Sequence, residues 1–482
     1  MVDDQLNPIN VPRGLPSVEA LAVGAPGAAP DSVVRTAARR VIDEARVLVL
    51  SGGTTTHEAL QANLAAELDR HRPPSRVLNG TGVLLHTNLG RAPLTLPPDE
   101  YEGLGYVPVE IDLVSGDRGR RFDALERDLA ELTGAEAALV VNNNAAALLL
   151  TLSALAAGGQ VIVSRGQLVE IGGSFRVPEI ITQGGASLCE VGTTNKTHPR
   201  DIEQAIGPNT AMVLEVHPSN FAQIGFTASV STSEAAAIAH RSGLVMVHDI
   251  GSGLVDASAP WLSGGPPPWL RNEPAARQVL AAGADLVTFS TDKVLGGPQG
   301  GVVAGRGDLV DRLRRHPLQR ALRYDKVRAA HLHATVVAHL DGSAATAVPF
   351  WAMASSPVDA LEQRAHAVAA SINETVGRGV AAGHRVHVSV VAVDDSVGAG
   401  AAASASLPGA ALAVHADLGC ERLSVALRRG HPAVLARVHR DRLLISMRTI
   451  APTDDHLLAT AISAALRTAP GPNLDGRESV PT

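Results

Sequence analysis

The sequence predicts an α/β fold, in which a mostly parallel, helix-covered central sheet follows a small helical domain and precedes an α+β domain. Three observations carry that prediction. Before residue 75 the apolar positions recur at helical spacing. From 76 to 335, short β-rich runs alternate with helical stretches: ALVVN (138–142), VIVSR (161–165), AMVLEVH (211–217), LVMVHD (244–249) and LVTFS (286–290). After Ser356-Pro357 a long helical stretch gives way to VHVSVVAVDD, ALAVHA and VLARVHRDRLLISMRTI. The expected division is therefore 1–75, 76–335 and 336–468, with 469–482 (from APGPNLDG onward) a disordered tail.

The N-terminal part reads as two helices between Asp31 and Arg72. The first carries Val34, Ala38, Val41, Ile42 and Ala45 on one face; the second opens on Thr55-Thr56-His57-Glu58, which fits a capping box, and repeats Leu60, Leu64 and Leu68. Pro73-Pro74 closes the unit. In the central part the runs are apolar on both faces, as buried parallel strands must be, and ligands gather where such strands end. Each run ends in a polar residue: Asn142, Ser164, His217, Asp249 or Ser290. In the last part Leu423 and Leu427 line a helix stopped by Gly430 and Pro432, and His439-Arg440-Asp441-Arg442 turns the final hairpin.

Composition narrows the function classes. Only 2% of the residues are aromatic, so the core must be built from Ala, Val, Leu and Ile. A net charge of -7 argues against a wholly basic nucleic-acid binder while leaving room for a local arginine patch, and DNA is not an expected partner. The two cysteines, Cys189 and Cys420, support neither a disulfide framework nor a zinc site. No apolar run reaches bilayer length and the start MVDDQLNPIN is unlike a secretory signal, so a soluble cytoplasmic protein with no membrane partner is expected.

There are three lysines, Lys196, Lys293 and Lys326, and one of them stands in a telling place. Ser290-Thr291-Asp292-Lys293 follows a buried strand and precedes Gly296-Gly297-Pro298-Gln299-Gly300-Gly301. Carbanion chemistry on an amino acid needs an amine that forms an imine with a cofactor aldehyde, is displaced by substrate and then moves protons, and burial gives a lysine the neutral fraction this requires. Asp249, before Gly251-Ser252-Gly253, is placed to keep a pyridine nitrogen protonated. Asn142-Asn143-Asn144 runs into Ala145-Ala146-Ala147, a strand end opening a helix whose free amides suit a phosphate. Taken alone the asparagine run reads as a plain helix cap. Carboxylate, phosphate cradle and lysine in this arrangement match the aminotransferase-like (fold type I) enzymes that use pyridoxal 5'-phosphate (PLP), and Asn143, Asn144, Ala145, His217, Asp249, Ser290 and Lys293 are the expected cofactor residues.

Longer blocks make the resemblance specific. The segment from Arg76 to Leu94 (RVLNGTGVLLHTNLGRAPL) resembles the one that opens the catalytic domain of the bacterial selenocysteine synthase family. So do LTGAEAALVVNNNAAALLL (132–150), SRGQLVEIGGSFRVPEI (164–180), EVGTTNKTH (190–198), VHPSNFAQIGFT (216–227), DKVLGGPQGG (292–301) and HPLQRALRYDK (316–326). The resemblance implies that Lys293 is the Schiff-base lysine, Asp292 its neighbour facing the substrate, and Asp249 the ring-nitrogen partner. It implies that Arg91, Arg320 and Arg323 hold an anionic selenium donor, and that Arg35, Arg39 and Arg40 on the N-terminal helices meet tRNA phosphates. The activity implied is conversion of seryl-tRNA(Sec) to selenocysteinyl-tRNA(Sec) with selenophosphate, by β-elimination of water through dehydroalanyl-tRNA, in a homodecameric ring built as a pentamer of dimers. Three positions depart from the family pattern: Thr291 where glycine is usual, Gly300 where alanine is usual, and His248 where a small polar residue is common. Two other readings stay open at this point: a related PLP lyase acting on a small amino acid or amino sugar, and a non-catalytic tRNA-binding or assembly protein on the same scaffold.

Overall fold

The computed structural model describes residues 7–23, 30–70, 75–95, 105–171, 175–221, 223–377, 386–398, 400–402, 405–417 and 419–468. Pro73-Pro74 and the tail from 469 lie outside the described residues. The chain forms two compact units, Met1–Arg76 and Val77–Thr482.

Among its described residues the first unit has three α-helices, α1 (Val18–Val23), α2 (Asp31–Leu50) and α3 (His57–Arg70). The 3.6-residue repeat puts Val34, Ala38, Val41, Ile42 and Ala45 of α2 against Leu60, Leu64 and Leu68 of α3, with Leu21 of α1 completing a dry core. The capping box expected at Thr55 gives way to a single cap one residue on: Thr56 Oγ1 accepts from the Ala59 N–H at 3.1 Å, while the backbone of Thr55 pairs with Ile9. Arg35, Arg39 and Arg40 are exposed on α2, and Arg40 is tied to Glu67.

The second unit begins with β1 (Val77–Asn79). Helix α4 (Asp123–Thr133), β2 (Ala137–Val141), helix α5 (Asn144–Leu155), β3 (Gln160–Ser164), the short hairpin β4 (Glu170–Ile171) and β5 (Phe175–Arg176), then β6 (Ser187–Val191), β7 (Thr210–Val216), β8 (Val245–Gly251), β9 (Leu286–Ser290) and β10 (Gly301–Gly305) follow. Seven of these strands form one sheet in the order β2-β10-β9-β8-β7-β3-β6. Pairing is parallel from β9 to β6, and only β10 runs antiparallel, between β2 and β9. Both faces are covered: Leu139, Val141, Val161, Val163 and Val247 pack on one side, Ala138, Val140, Ile162, Met246 and Phe289 on the other. This explains the doubly apolar runs, since a strand sandwiched between layers has no polar face.

The remaining strands are β11 (Val386–Ser396), β12 (Ser406–Ala416), β13 (Ala433–Leu435), β14 (Arg437–His439) and β15 (Arg442–Ser446). Four form an antiparallel sheet, β11-β12-β15-β14, under the helices Val358–Gly377 and Asp455–Thr468. The last turn has Arg440 and Asp441 at φ 49° and 56°, the left-handed pair that a two-residue hairpin needs.

The expected boundary at 335/336 needs correction, because it cuts the helix Lys326–Leu340. Val336, Ala344, Val348, Phe350 and Trp351 all belong to the core beneath the seven-stranded sheet, so the large-sheet layer continues to Ser356-Pro357. The two layers are also interlocked at the chain's entry: β1 pairs in parallel with β13, and Leu78 is buried in the C-terminal core. Among the described residues no helix is long and apolar enough to cross a membrane.

Candidate active site

The site forms at the C-terminal ends of β7, β8 and β9. Lys293 follows β9 in a loop stitched to itself: the Gly296 N–H donates to the Lys293 carbonyl, and the Gly297 N–H to that of Thr291. Val294 N–H donates to the carbonyl of Ser252 just beyond β8, so the lysine loop leans on the segment after Asp249. The lysine is 4% exposed. Burial pushes its amine below the usual lysine range, the Arg91 charge pushes it further, and Asp249, Asp292 and Glu273 oppose them.

Asp249 is buried on the neighbouring strand, its Oδ1 accepting from Asn144 Nδ2 at 2.7 Å and from Thr288 Oγ1 at 3.0 Å. Burial raises this carboxyl, while those two donors, the Lys293 charge and the Gly251 N–H hold it down. The asparagine run divides its labour. Asn143 caps α5 by accepting from the Ala146 N–H at 2.8 Å, as an ordinary N-cap does, whereas the Asn144 side chain serves Asp249 instead of a phosphate. The backbone amides at the head of α5 remain the candidates for a phosphate cradle. Gly301 closes against it, since a Cβ there would come 2.1 Å from the Asn143 carbonyl oxygen.

Arg91 reaches the same cluster from the loop after β1, donating from Nη1 to Asp292 Oδ2 at 2.8 Å, with a φ of 63° following Gly90. His217, at the end of β7, is half-buried with Nε2 3.5 Å from Glu273 Oε2. Ser290 is buried at the end of β9. Lys293, Asp292, Asp249, Asn144 and Arg91 are thus brought together, with His217 joined to them through Glu273. Arg320 and Arg323 are not. Arg320 is exposed on the short helix Leu318–Ala321, and Arg323 turns into a cavity of about 210 Å³ with Glu110, Arg121 and Arg314. Its backbone pairs with Val141, which keeps it beside β2 at the sheet's edge.

The residues present fit a PLP group. Among the described residues the buried hydroxyls of Ser219 and Ser252 and the Asn144 Oδ1 have no hydrogen-bond partner, an arrangement that costs free energy unless a ligand satisfies them. A Cβ on Gly251 would lie 3.6 Å from Ser219 Oγ and 4.0 Å from Lys293 Nζ, so hydroxyl and amine face one another across a glycine. Gly400, at φ 87°, approaches the amine so closely that a Cβ would sit 2.9 Å from Nζ.

Sequence reasoning offers no role for Glu273, Ser219 or Ser252. Glu273 accepts from the Ala402 N–H at 2.6 Å and lies in a loop without periodicity, so only the tertiary fold brings it to His217. Ser219 lay within the VHPSNFAQIGFT block, which was the signal available.

Comparison with known proteins decides the family. The sequence pattern of L-seryl-tRNA selenium transferase matches residues 77–451. The chain belongs to that family. It is 43% identical over 450 residues to the L-seryl-tRNA(Sec) selenium transferase of Geobacter metallireducens, covering 91% of this chain and 94% of that protein. It is also 43% identical to the protein of the same name from Moorella thermoacetica, covering 89% and 91%. Among solved structures, D-glucosaminate-6-phosphate ammonia-lyase superposes with a TM-score of 0.52 at 18% identity, over 83% of this chain and 98% of that one, a likeness of fold.

The departures from the family pattern have local explanations. Thr291 donates its hydroxyl to the Pro298 carbonyl, and a Cβ on Gly300 would meet Thr291 Oγ1 at 2.7 Å and the Tyr324 hydroxyl at 3.0 Å. The larger residue at 291 therefore fills the room that the smaller one at 300 leaves. His248 points to the face of β8 opposite Asp249, where its Nδ1 lies 3.2 Å from Glu215 Oε2 and 3.2 Å from Thr232 Oγ1.

Proposed function

We propose that this protein is a PLP-dependent enzyme that converts seryl-tRNA(Sec) into selenocysteinyl-tRNA(Sec), with Lys293 as the cofactor lysine. The observation that carries the reading is the buried cluster of Lys293, Asp249 and Asn144 in a chain 43% identical, over 91% of its length, to a protein named for that reaction. Bound there, PLP supplies an electron sink for the charge that develops at the serine Cα.

The chain's own groups do the rest. Lys293 Nζ, lowered by burial, takes the Cα proton and returns protons as the seryl hydroxyl leaves as water. Asp249, steered by Asn144 and Thr288, would hold a proton at the nitrogen of the bound ring. The amides of Asn144 and Ala145 at the head of α5, with Ser290, would hold the cofactor's phosphate, and His217 would flank its ring. Asp292 orients Arg91 toward an anionic selenium donor, selenophosphate. Arg320 and Arg323 join Arg91 when sites lie between subunits, in a ring of five dimers. Arg35 and Arg39 on the first unit contact tRNA phosphates, whereas Arg40 is committed to Glu67. A reaction on charged tRNA belongs in the cytoplasm.

The test is direct. Purified protein with seryl-tRNA(Sec) and selenophosphate is expected to form selenocysteinyl-tRNA(Sec), and Lys293→Ala to lose at least about 10²–10⁴-fold in rate. Undiminished product from the variant would refute the assignment.

A further inference from the structure

A cleft of about 770 Å³ is lined by His217 and Glu273 together with Glu215 and His248. Glu273 is within electrostatic reach of Lys293, so the cleft adjoins the reacting centre. It is larger than a seryl group requires. Its lining also includes the Thr194–Thr197 turn and the loop around Gln223 and Thr227.

That loop carries an unusual surface. The chain has 6 phenylalanines, and while Phe289 and Phe350 are fully buried, Phe226 is 83% and Phe221 41% exposed, with Ile224 beside them at 91%. Exposed apolar side chains gathered on one loop mark a contact surface. The loop is also held: Asn195 Nδ2 donates to the Phe226 carbonyl at 2.6 Å, Gln223 Nε2 to Thr194 at 2.9 Å, and Lys196 bridges to Ala228. One face of the Phe226 ring is covered by the Lys196 ammonium, 3.1 Å from its centroid. Arg271, which is exposed, also lines the cleft. Among the described residues neither cation has a carboxylate partner. A held aromatic ring beside unpaired cations is the combination that binds single-stranded nucleic acid, with a base on the ring and phosphates on the charges.

We propose that this cleft binds the unpaired 3′ nucleotides of the aminoacylated tRNA, with a base stacked on the free face of Phe226 and Lys196 and Arg271 facing the backbone. The inference rests on the tRNA reading above: an amino acid esterified to a 3′ end cannot reach Lys293 without bringing its neighbouring nucleotides to the entrance.

The experiment measures affinity of the PLP-loaded, full-length protein for tRNA(Sec), intact or with its unpaired 3′ nucleotides removed, by fluorescence anisotropy. Phe226→Ala is expected to weaken binding of intact tRNA by about tenfold, and Phe226→Tyr to preserve it. Neither substitution changes affinity for the trimmed tRNA. Equal losses on both RNAs, or no loss on the intact one, overturn the inference while leaving the function standing. A smaller assembly for Phe226→Ala by light scattering also overturns it, since a second copy would then be the occupant of the loop. If the wild-type protein binds neither RNA, the functional reading itself fails.

Discussion

Thr291 and Gly300 show how a single residue choice is tied to its neighbour in the lysine loop. With Thr291 in place, a methyl group at 300 has no room. Gly300→Ala is expected to cost about 1–3 kcal/mol, read as a lower Tm, and to disturb the absorbance of bound PLP. Adding Thr291→Gly should recover most of both; a double variant as impaired as the single one would show that the two positions are independent. At this scale the sequence was most legible where chemistry and chain order coincide, as at Lys293 after β9 and Asp249 within β8. It was least legible where a side chain's partner is remote: Asn144 reads as a helix cap, and only the packed structure turns it toward Asp249, 105 positions away.

Adjacent strands carry a second titratable arrangement, on the side of the sheet away from Asp249. Glu215 on β7 and His248 on β8 are register partners, and Thr232, at the head of the helix Thr232–Arg241, donates to Glu215 Oε2 at 2.9 Å. Burial pushes Glu215 up to about 7 and His248 down to about 3, so both prefer to be neutral. Folded chains therefore keep a proton on Glu215 that unfolded chains lose near 4.5, and this contribution to stability disappears as pH rises from 4.5 to about 7. His248 acts in the opposite sense, losing its contribution as pH falls from 6.5 toward 3. Glu215→Gln keeps the shape without the charge, and should gain about 1–3 kcal/mol relative to wild type on going from pH 5 to pH 8. Parallel Tm curves for the two proteins would rule this out. The elements themselves were readable from doubly apolar runs, whereas the 335/336 boundary failed because the helix Lys326–Leu340 continues the catalytic core without a change in periodicity.

For the whole molecule, the succession of segments along the chain was legible because each has its own repeat: helical in α2 and α3, doubly apolar in the central strands, alternating in the C-terminal sheet. What no repeat encodes is the join between layers, where β1 pairs with β13 across more than 350 residues of chain. Arg448 makes another such join, since it is buried, pairs with Asp395 Oδ2 at 3.2 Å and donates to the carbonyls of Met353 and Ser356. These ties hold the C-terminal layer against the large-sheet layer that presents the lysine. With only Lys196, Lys293 and Lys326 in the chain, the central claim has a clean chemical test. Borohydride reduction of the PLP-loaded protein, followed by peptide mass mapping, is expected to find the cofactor fixed on Lys293 alone. Labelling of Lys196 or Lys326 in its place, or of no lysine in a protein that still binds PLP, would contradict it.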